Sequence, residues 1–398
     1  MLSLTPKEDV LVRLAKAWEP PLRTELVAVT EALGRILAQN YYSLNRLPQV
    51  RSAAMDGYAV KSAAFSSSTP PDTSDWVLGI DYQRADMGDD FDDAFDAVIL
   101  VEEAQQTGGK VSFKPLKPVV PGLNVRPAGS QIEIGDLLAK KFRPLLPKDL
   151  AMLQMGGAPF VEVLTKPLVA YIPTGTELIN PGEPLRRGVN IDTNSILAQK
   201  TLELFGAAFW KFPIIKDDPL ALVEAFEQAL AGADIVVLAG GSSKGGEDYC
   251  AKILGQKAQL LVRGVAAAPG KPMGLFIASG KPVVNLPGPM IAAYYGLEWC
   301  LSFLVARWLR QPVRPRPKVR AVLTEPLDAP KELSFLFNLK LSQGPDGGWL
   351  AKPLDPRKVR THEGIDANAH YMSELGRGRL EAGEEIVAEV LRWEEILV

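Results

Sequence analysis

From residue 167 onward the chain repeats one pattern: an apolar strand-like run, a turn carrying glycine, and a helical stretch. LVAYI is followed by NSILAQKTLELFGA, then DDPLALVEAFEQALAG, then DIVVL, which runs directly into AGGSSKGGEDY (239–249). Strands separated by helices can pair in parallel only through crossovers, so this region predicts a parallel sheet with helices on both faces. Ligands of such sheets bind beyond the carboxyl ends of the strands, and that is where these glycines fall.

At 398 residues the chain is too long for one core, since domains usually run about 100–200 residues. Four segments are expected: a helical and linking domain from 1–45 with 141–166, a strand-rich domain at 46–140, the α/β domain at 167–311, and a strand-rich module at 312–398 after the proline-rich QPVRPRPKVR. Within the first segment, TPKEDVLVRLAKAW predicts a helix with Thr5 as cap, Pro6 in the first turn and Glu8 closing a capping box. TELVAVTEALGRILA predicts a second helix, because Leu26, Val29, Leu33, Ile36 and Leu37 recur at helical spacing.

Composition excludes several functions. Hydrophobic residues are 47% and charged residues 23%, a globular balance, and no apolar run reaches the ~18 residues that span a bilayer. With a net charge of -3 and no basic cluster interleaved with aromatics, a nucleic-acid surface is not expected. Two cysteines, Cys250 and Cys300, and two histidines, His362 and His370, are too few for a disulfide framework, a His-based triad or a His/Cys zinc site. A cytoplasmic protein is the economical reading, with catalysis resting on carboxylates, lysine, hydroxyls and backbone amides.

The four glycines and two serines of AGGSSKGG precede the helical EDYCAKILGQ. They would point several N–H groups at an anion near a helix N-terminus, although a tight strand-to-helix turn suits the same residues. The loop matches neither a P-loop nor a dinucleotide fingerprint. PTGTEL (173–178) brings Thr174, Gly175 and Glu177 to a second strand end, and DTNS (192–195) offers Asp192, Asn194 and Ser195 at a helix start, where they also fit a cap. Hard oxygen ligands such as Glu177 and Asp248 suit magnesium, with waters and substrate phosphates completing the shell. APGKPMG (268–274) fixes Lys271 between prolines as a positioned cation, or leaves it as a solvated loop charge; NLPGPMIAAYYG (285–296) ends a further strand in a Pro-Gly turn.

DGYAV, TGTELI, DTNS, GGSSKGGEDY, PGKP and LPG, in this order, resemble the molybdopterin molybdenumtransferase family, known as MoeA in bacteria and as the E domain of gephyrin in animals. The resemblance covers nearly the whole chain, with RLPQVRSAAMDGYAV, PGLNVRPAGSQIEIGD and LQMGGAPFVEV near its start and LEAGEEIVAEVL at its end. It implies a central three-layer α/β domain with a mostly parallel, MogA-like sheet, a strand-rich second domain, a small C-terminal β-barrel and an elongated homodimer. It also implies a reaction: adenylylated molybdopterin and molybdate bind with Mg2+, molybdate enters the dithiolene, and AMP leaves. Other molybdenum-cofactor biosynthesis proteins would be further partners.

Carried over by residue, Asp56 of DGYAV would reach the cleft of the partner subunit, with Glu177, Asp248 and Lys271 as its catalytic companions. Glu177, Asp248 and Asp234 would handle metal, although Asp234, which opens the strand DIVVL, also suits a strand-edge charge. Thr174, Gly175, Asp192, Asn194, Ser195, Gly240, Gly241, Ser242, Ser243, Gly245, Pro269, Gly270, Pro287 and Gly288 would contact the pterin and its phosphates.

The chain departs from the family pattern in four places. Ala239 and Lys244 alter SGGVSVG, Ala268 stands where a lysine is usual with Arg263 as the nearest cation, Met87 in DMGD (86–89) replaces a threonine, and Pro289 replaces the asparagine of LPGNP. These changes leave a second reading open, a molybdopterin or molybdenum-cofactor carrier that does not insert metal. A third is a dimeric scaffold with a degenerate site.

Overall fold

A computed structural model describes residues 4–67, 71–240, 249–345, 347–354 and 366–392. The chain divides into two compact units, Met1–Leu22 with Thr165–Val398, and Arg23–Leu164.

The first unit begins with α1 (Lys7–Ala17). No side chain caps it. Thr5 is instead buried in a strand-like bridge, its N–H donating to Gly264 O at 3.2 Å and its carbonyl accepting from Ala266 N at 2.8 Å, so the expected capping box does not form. The α/β repeat follows: β1 (Leu168–Pro173), α2 (Asn194–Phe205), β2 (Ala208–Lys211), α3 (Pro219–Gly232), β3 (Ile235–Ala239), α4 (Tyr249–Lys257), β4 (Gln259–Arg263), β5 (Gly274–Ala278), β6 (Lys281–Leu286) and α5 (Met290–Gly296). Asp218 caps α3 by accepting from Leu220 N at 2.9 Å, and Pro219 fills the first helical position, where its missing N–H costs nothing.

The sheet order is β2-β1-β3-β6-β5-β4. Its first four strands are parallel, while β5 and β4 add an antiparallel edge. That edge follows from connection length: only Ser279 and Gly280 join β5 to β6, which allows a hairpin and no crossover.

Ala170 and Ile172 of β1 and Val236 and Leu238 of β3 share one core with Leu222, Phe226 and Ala229 of α3 and Leu254 of α4. Alternate residues Val169 and Tyr171 turn to the opposite face, the one α2 covers, which gives three layers. The sheet is therefore buried on both sides, as continuous apolar runs such as IVVLA require.

The C-terminal part is β7 (Lys318–Leu323), β8 (Ser334–Gln343), β9 (Trp349–Leu354), β10 (Ala369–Met372) and β11 (Glu385–Val390). These pair in the ring β8-β9-β7-β11-β10-β8, a closed five-stranded barrel. Alternation fills it: Ile386, Ala388 and Val390 of β11 point inward to Phe337, Leu339 and Ala321. Glu389, between two inward residues, accepts from His370 across the strand pair at 3.1 Å and meets Lys318 at 3.3 Å.

In the second unit the helix expected over TELVAVTEALGRILA is absent. Thr24–Ala28 is a strand, antiparallel to Phe160–Leu164, and Val29–Glu31 is a short 3-10 turn. Strand pairing overrides the helical spacing, leaving Leu26 and Leu33 at 69% and 59% exposure while Val29 and Leu37 enter the core. A three-stranded sheet of Gly57–Val60 flanked by Tyr82–Ala85 and Ala97–Leu100 carries a cluster of Tyr58, Phe65, Trp76, Tyr82 and Phe113, mostly edge-to-face.

Candidate active site

The carboxyl ends of β1 and β3 open into a cavity of about 640 Å³. Thr174, Glu177, Asp192, Asn194, Gly240 and Gly288 contribute to its lining, with Tyr171 also in the wall and an apolar side made by Leu178, Leu185, Val189 and Ile191. A pair of short parallel strands, Leu178–Ile179 with Asn190–Ile191, holds that apolar side in place.

Backbone geometry fixes the polar side. Thr174 N donates to Ala239 O at 2.8 Å and Thr174 Oγ1 to the same oxygen at 3.1 Å, so the ends of β1 and β3 are pinned together. Gly240 follows with φ +109°, and a Cβ there would lie 2.5 Å from Thr174 O; only glycine permits the turn out of β3. Asn285, the penultimate residue of β6, donates through Nδ2 to Gly240 O at 2.9 Å, and Gly240 N donates to Leu286 O at 3.0 Å. Pattern reading passed over Asn285. Its signal is a buried asparagine inside the apolar run KPVVNL, which needs a partner.

Glu177 is exposed, and its carboxylate takes no hydrogen bond from any described residue. It folds over Gly175, where a Cβ would sit 2.5 Å from Glu177 Oε2 and where φ is +146°, so this residue too must be glycine.

Asp192 is the opposite case. Only 4% exposed, it accepts from Ser195 N at 3.0 Å and Ser195 Oγ at 2.5 Å, and Lys211 Nζ lies 3.1 Å away. A carboxylate with both oxygens engaged holds the start of α2 in place; the cap reading of DTNS describes what Asp192 and Ser195 do. Asn194 donates through Nδ2 to Gly288 O at 2.7 Å, tying that helix start to the Pro-Gly turn after β6. Its Oδ1 and the hydroxyl of Tyr171 are buried without partners among the described residues. Burial first, and then the nearby Asp192 charge, push the Tyr171 hydroxyl pKa far up, so it stays protonated.

Other residues singled out from the sequence lie elsewhere. Asp234 stands at the amino end of β3, where its Oδ2 accepts from Leu168 N at 2.9 Å. The five residues of β3, at ~3.3 Å each, separate it from Glu177, so the two cannot share one ion. Lys271 is exposed and its carbonyl accepts from Val265 N at 3.0 Å; Lys271, Pro269, Gly270 and Pro287 do not line the cavity. Ala268 pairs with Phe335 of β8. Asp56 belongs to the second unit, where its Oδ1 accepts from Met87 N at 2.7 Å and closes the turn at 86–89, while the Met87 side chain is exposed. Gly241, Ser242, Ser243, Gly245 and Asp248, with Lys244, lie outside the described residues.

Among the described residues no group of three or more His, Cys, Asp or Glu could hold a metal, and no helix is long and apolar enough to cross a membrane. Magnesium nevertheless fits a smaller set, because it is commonly held by one or two carboxylates with water and substrate phosphate. Glu177 offers such a carboxylate with its oxygens open to the cavity.

Two family models match the chain. The MoeA N-terminal region (domain I and II) matches residues 5–157, and the probable molybdopterin binding domain matches residues 170–307. A protein of Nostoc sp. named molybdopterin molybdenumtransferase is 31% identical over 313 residues, covering 75% of this chain and 70% of the relative. One of the same name from Bacillus subtilis is 27% identical over 407 residues, covering 97% and 94%. The crystal structure of a molybdopterin biosynthesis MoeA protein from Pyrococcus horikosii superposes with a TM-score of 0.78 at 26% identity, covering 98% of this chain and all of that one.

Proposed function

Because the chain belongs to the molybdopterin molybdenumtransferase (MoeA) family, we propose that it is a molybdenum-cofactor biosynthesis enzyme. In this reading it takes adenylylated molybdopterin and molybdate, joins molybdate to the dithiolene, and releases AMP. The observation that carries it is the cavity at the carboxyl end of the sheet, where the open carboxylate of Glu177 faces the turn at Gly240. Residues there divide the work. Glu177, with Asp248 beyond the described residues, would hold Mg2+, which supplies positive charge to neutralise the phosphoanhydride as it cleaves. Asn285 and Thr174 fix the backbone at Gly240, from which the glycine loop would receive phosphate oxygens. Asn194, with its Oδ1 unpartnered among the described residues and Nδ2 held by Gly288, and the apolar side of Leu185 and Ile191 suit a flat, partly polar ring.

The active form in this reading is a homodimer, with Asp56 serving the cavity of a second copy. Mixed dimers test that part: Asp56→Ala combined with Glu177→Ala should regain turnover that neither homodimer has, and no recovery would assign each site to a single chain. The reaction itself is tested by AMP release from adenylylated molybdopterin with Mg2+, with and without molybdate. Molybdate-stimulated release is expected. Tight pterin binding without release would instead establish the carrier, the reading that Ala268 and Met87 favour.

A further inference from the structure

Among the described residues Glu177 has no side-chain partner, yet the backbone on either side of it is held by one dipeptide. Lys216 Nζ donates to Thr176 O at 3.3 Å and to Leu178 O at 3.0 Å, the carbonyls immediately before and after Glu177. Asp217 clasps Thr176: its Oδ2 accepts from Thr176 Oγ1 at 2.8 Å and Thr176 N at 3.2 Å, and its own N–H donates back to Thr176 Oγ1 at 3.2 Å. One step earlier, Gly175 N donates to Ile215 O at 3.0 Å and Ile215 N to Pro173 O at 2.9 Å. Residues 215–217 thus lie as a splint along residues 173–178.

Exposed bonds of this kind add little to folding stability, because water competes for every donor and acceptor. Their effect is conformational. Five of the seven fix Thr176 and Leu178, none consumes the Glu177 carboxylate, and all of them leave it directed over Gly175 at the cavity. A negatively charged side chain on an unsupported loop would sample many orientations; on this splint it has few. We propose that Lys216 and Asp217 are positioning residues that hold Glu177 in the orientation in which it binds a divalent cation and its phosphate ligand. The inference rests on the role assigned to Glu177 above. Groups held in place around a metal ligand typically change affinity by about 10–100-fold when removed.

The test is Mn2+ binding to the whole protein without substrate, followed by electron paramagnetic resonance of the free ion, for wild type, Lys216→Met, Lys216→Arg and Glu177→Gln. Lys216→Met should weaken Mn2+ binding about 10-fold, and Lys216→Arg should restore most of it, since a guanidinium reaches both carbonyls. In AMP release, the metal concentration at half-maximal rate should rise by a similar factor, with a smaller change in maximal rate. Asp217→Asn, which keeps the shape and weakens the clasp, should shift binding in the same direction and covers the case in which Lys216→Met does not fold. Wild-type Mn2+ binding by folded Lys216→Met and Asp217→Asn, with Glu177→Gln impaired, would overturn the splint and leave Glu177 in place. Wild-type binding by Glu177→Gln as well would remove Glu177 from the metal site and the splint with it.

Discussion

Glu177 and Asp234 stand at opposite ends of the same pair of parallel strands, β1 and β3, and each had the sequence context of a metal ligand. Asp234, at the amino end, spends an oxygen on Leu168 N at 2.9 Å while its own N–H donates to Leu168 O at 2.8 Å. Glu177, at the carboxyl end, has a supported backbone and a carboxylate that no described residue engages. Residue type is the same in kind; the difference lies in which end of the sheet has backbone groups left over. At the amino end Asp234 completes the first rung of strand pairing, whereas at the carboxyl end the chain leaves through glycine turns that expose the side chain to the cavity. Position in the parallel sheet therefore separates a carboxylate tied into strand pairing from one that lines the cavity.

Glu177→Gln should carry the largest effect, a loss on the order of 100-fold in molybdate-stimulated AMP release with no change in melting temperature. A fall in stability of similar size would show that Glu177 supports the fold instead. Asp192→Ala should act conversely, through stability: it removes the acceptor of the buried Ser195 N–H and hydroxyl and the partner of the exposed Lys211 ammonium, and urea unfolding should register a loss of about 2 kcal/mol. Asp234→Ala should cost about 1 kcal/mol in the same assay, through the lost rung at Leu168, and leave AMP release unaltered.

The barrel offers a milder contrast. Glu389 has its pKa lowered to about 2, chiefly by the hydrogen bond from His370 and then by the charges of His370 and Lys318. Because the folded value lies below the ordinary 4.5, the stabilisation is complete above about pH 4.5 and disappears as pH falls toward 2. With the side chain 38% exposed, screening limits it to about 1 kcal/mol. Thermal unfolding across that window should show a slope that Glu389→Gln removes, and an unaltered slope would place the titrating group elsewhere. The smallest effect belongs to Tyr171→Phe, which deletes a buried hydroxyl that bonds to no described residue. Stability should stay level or rise by about 0.5 kcal/mol, and a marked loss would mean the hydroxyl is bonded in solution.

Much of the α/β unit was legible because its signals are local. Apolar runs bounded by glycine mark β1, β3 and β6, and Pro219 after Asp218 marks the start of α3. TELVAVTEALGRILA misled because its apolar residues satisfy a helical period, while its partner strand, Phe160–Leu164, lies far along the chain. The same limit governs the site. Glu177, Asn194 and Gly240 sit in recognisable turns, but Ile215, Lys216, Asp217 and Asn285 reach them only through strand register, which a local pattern does not contain. Lys271 and Pro269 belong to a motif as recognisable as any other, and the cavity nevertheless lacks them.

The most direct measurement is molybdate-stimulated AMP release by Glu177→Gln beside Asp234→Asn, each confirmed folded. Glu177→Gln should be nearly inactive and Asp234→Asn should match wild type. An inactive Asp234→Asn beside a fully active Glu177→Gln would place the chemistry at the other end of the sheet and contradict that expectation.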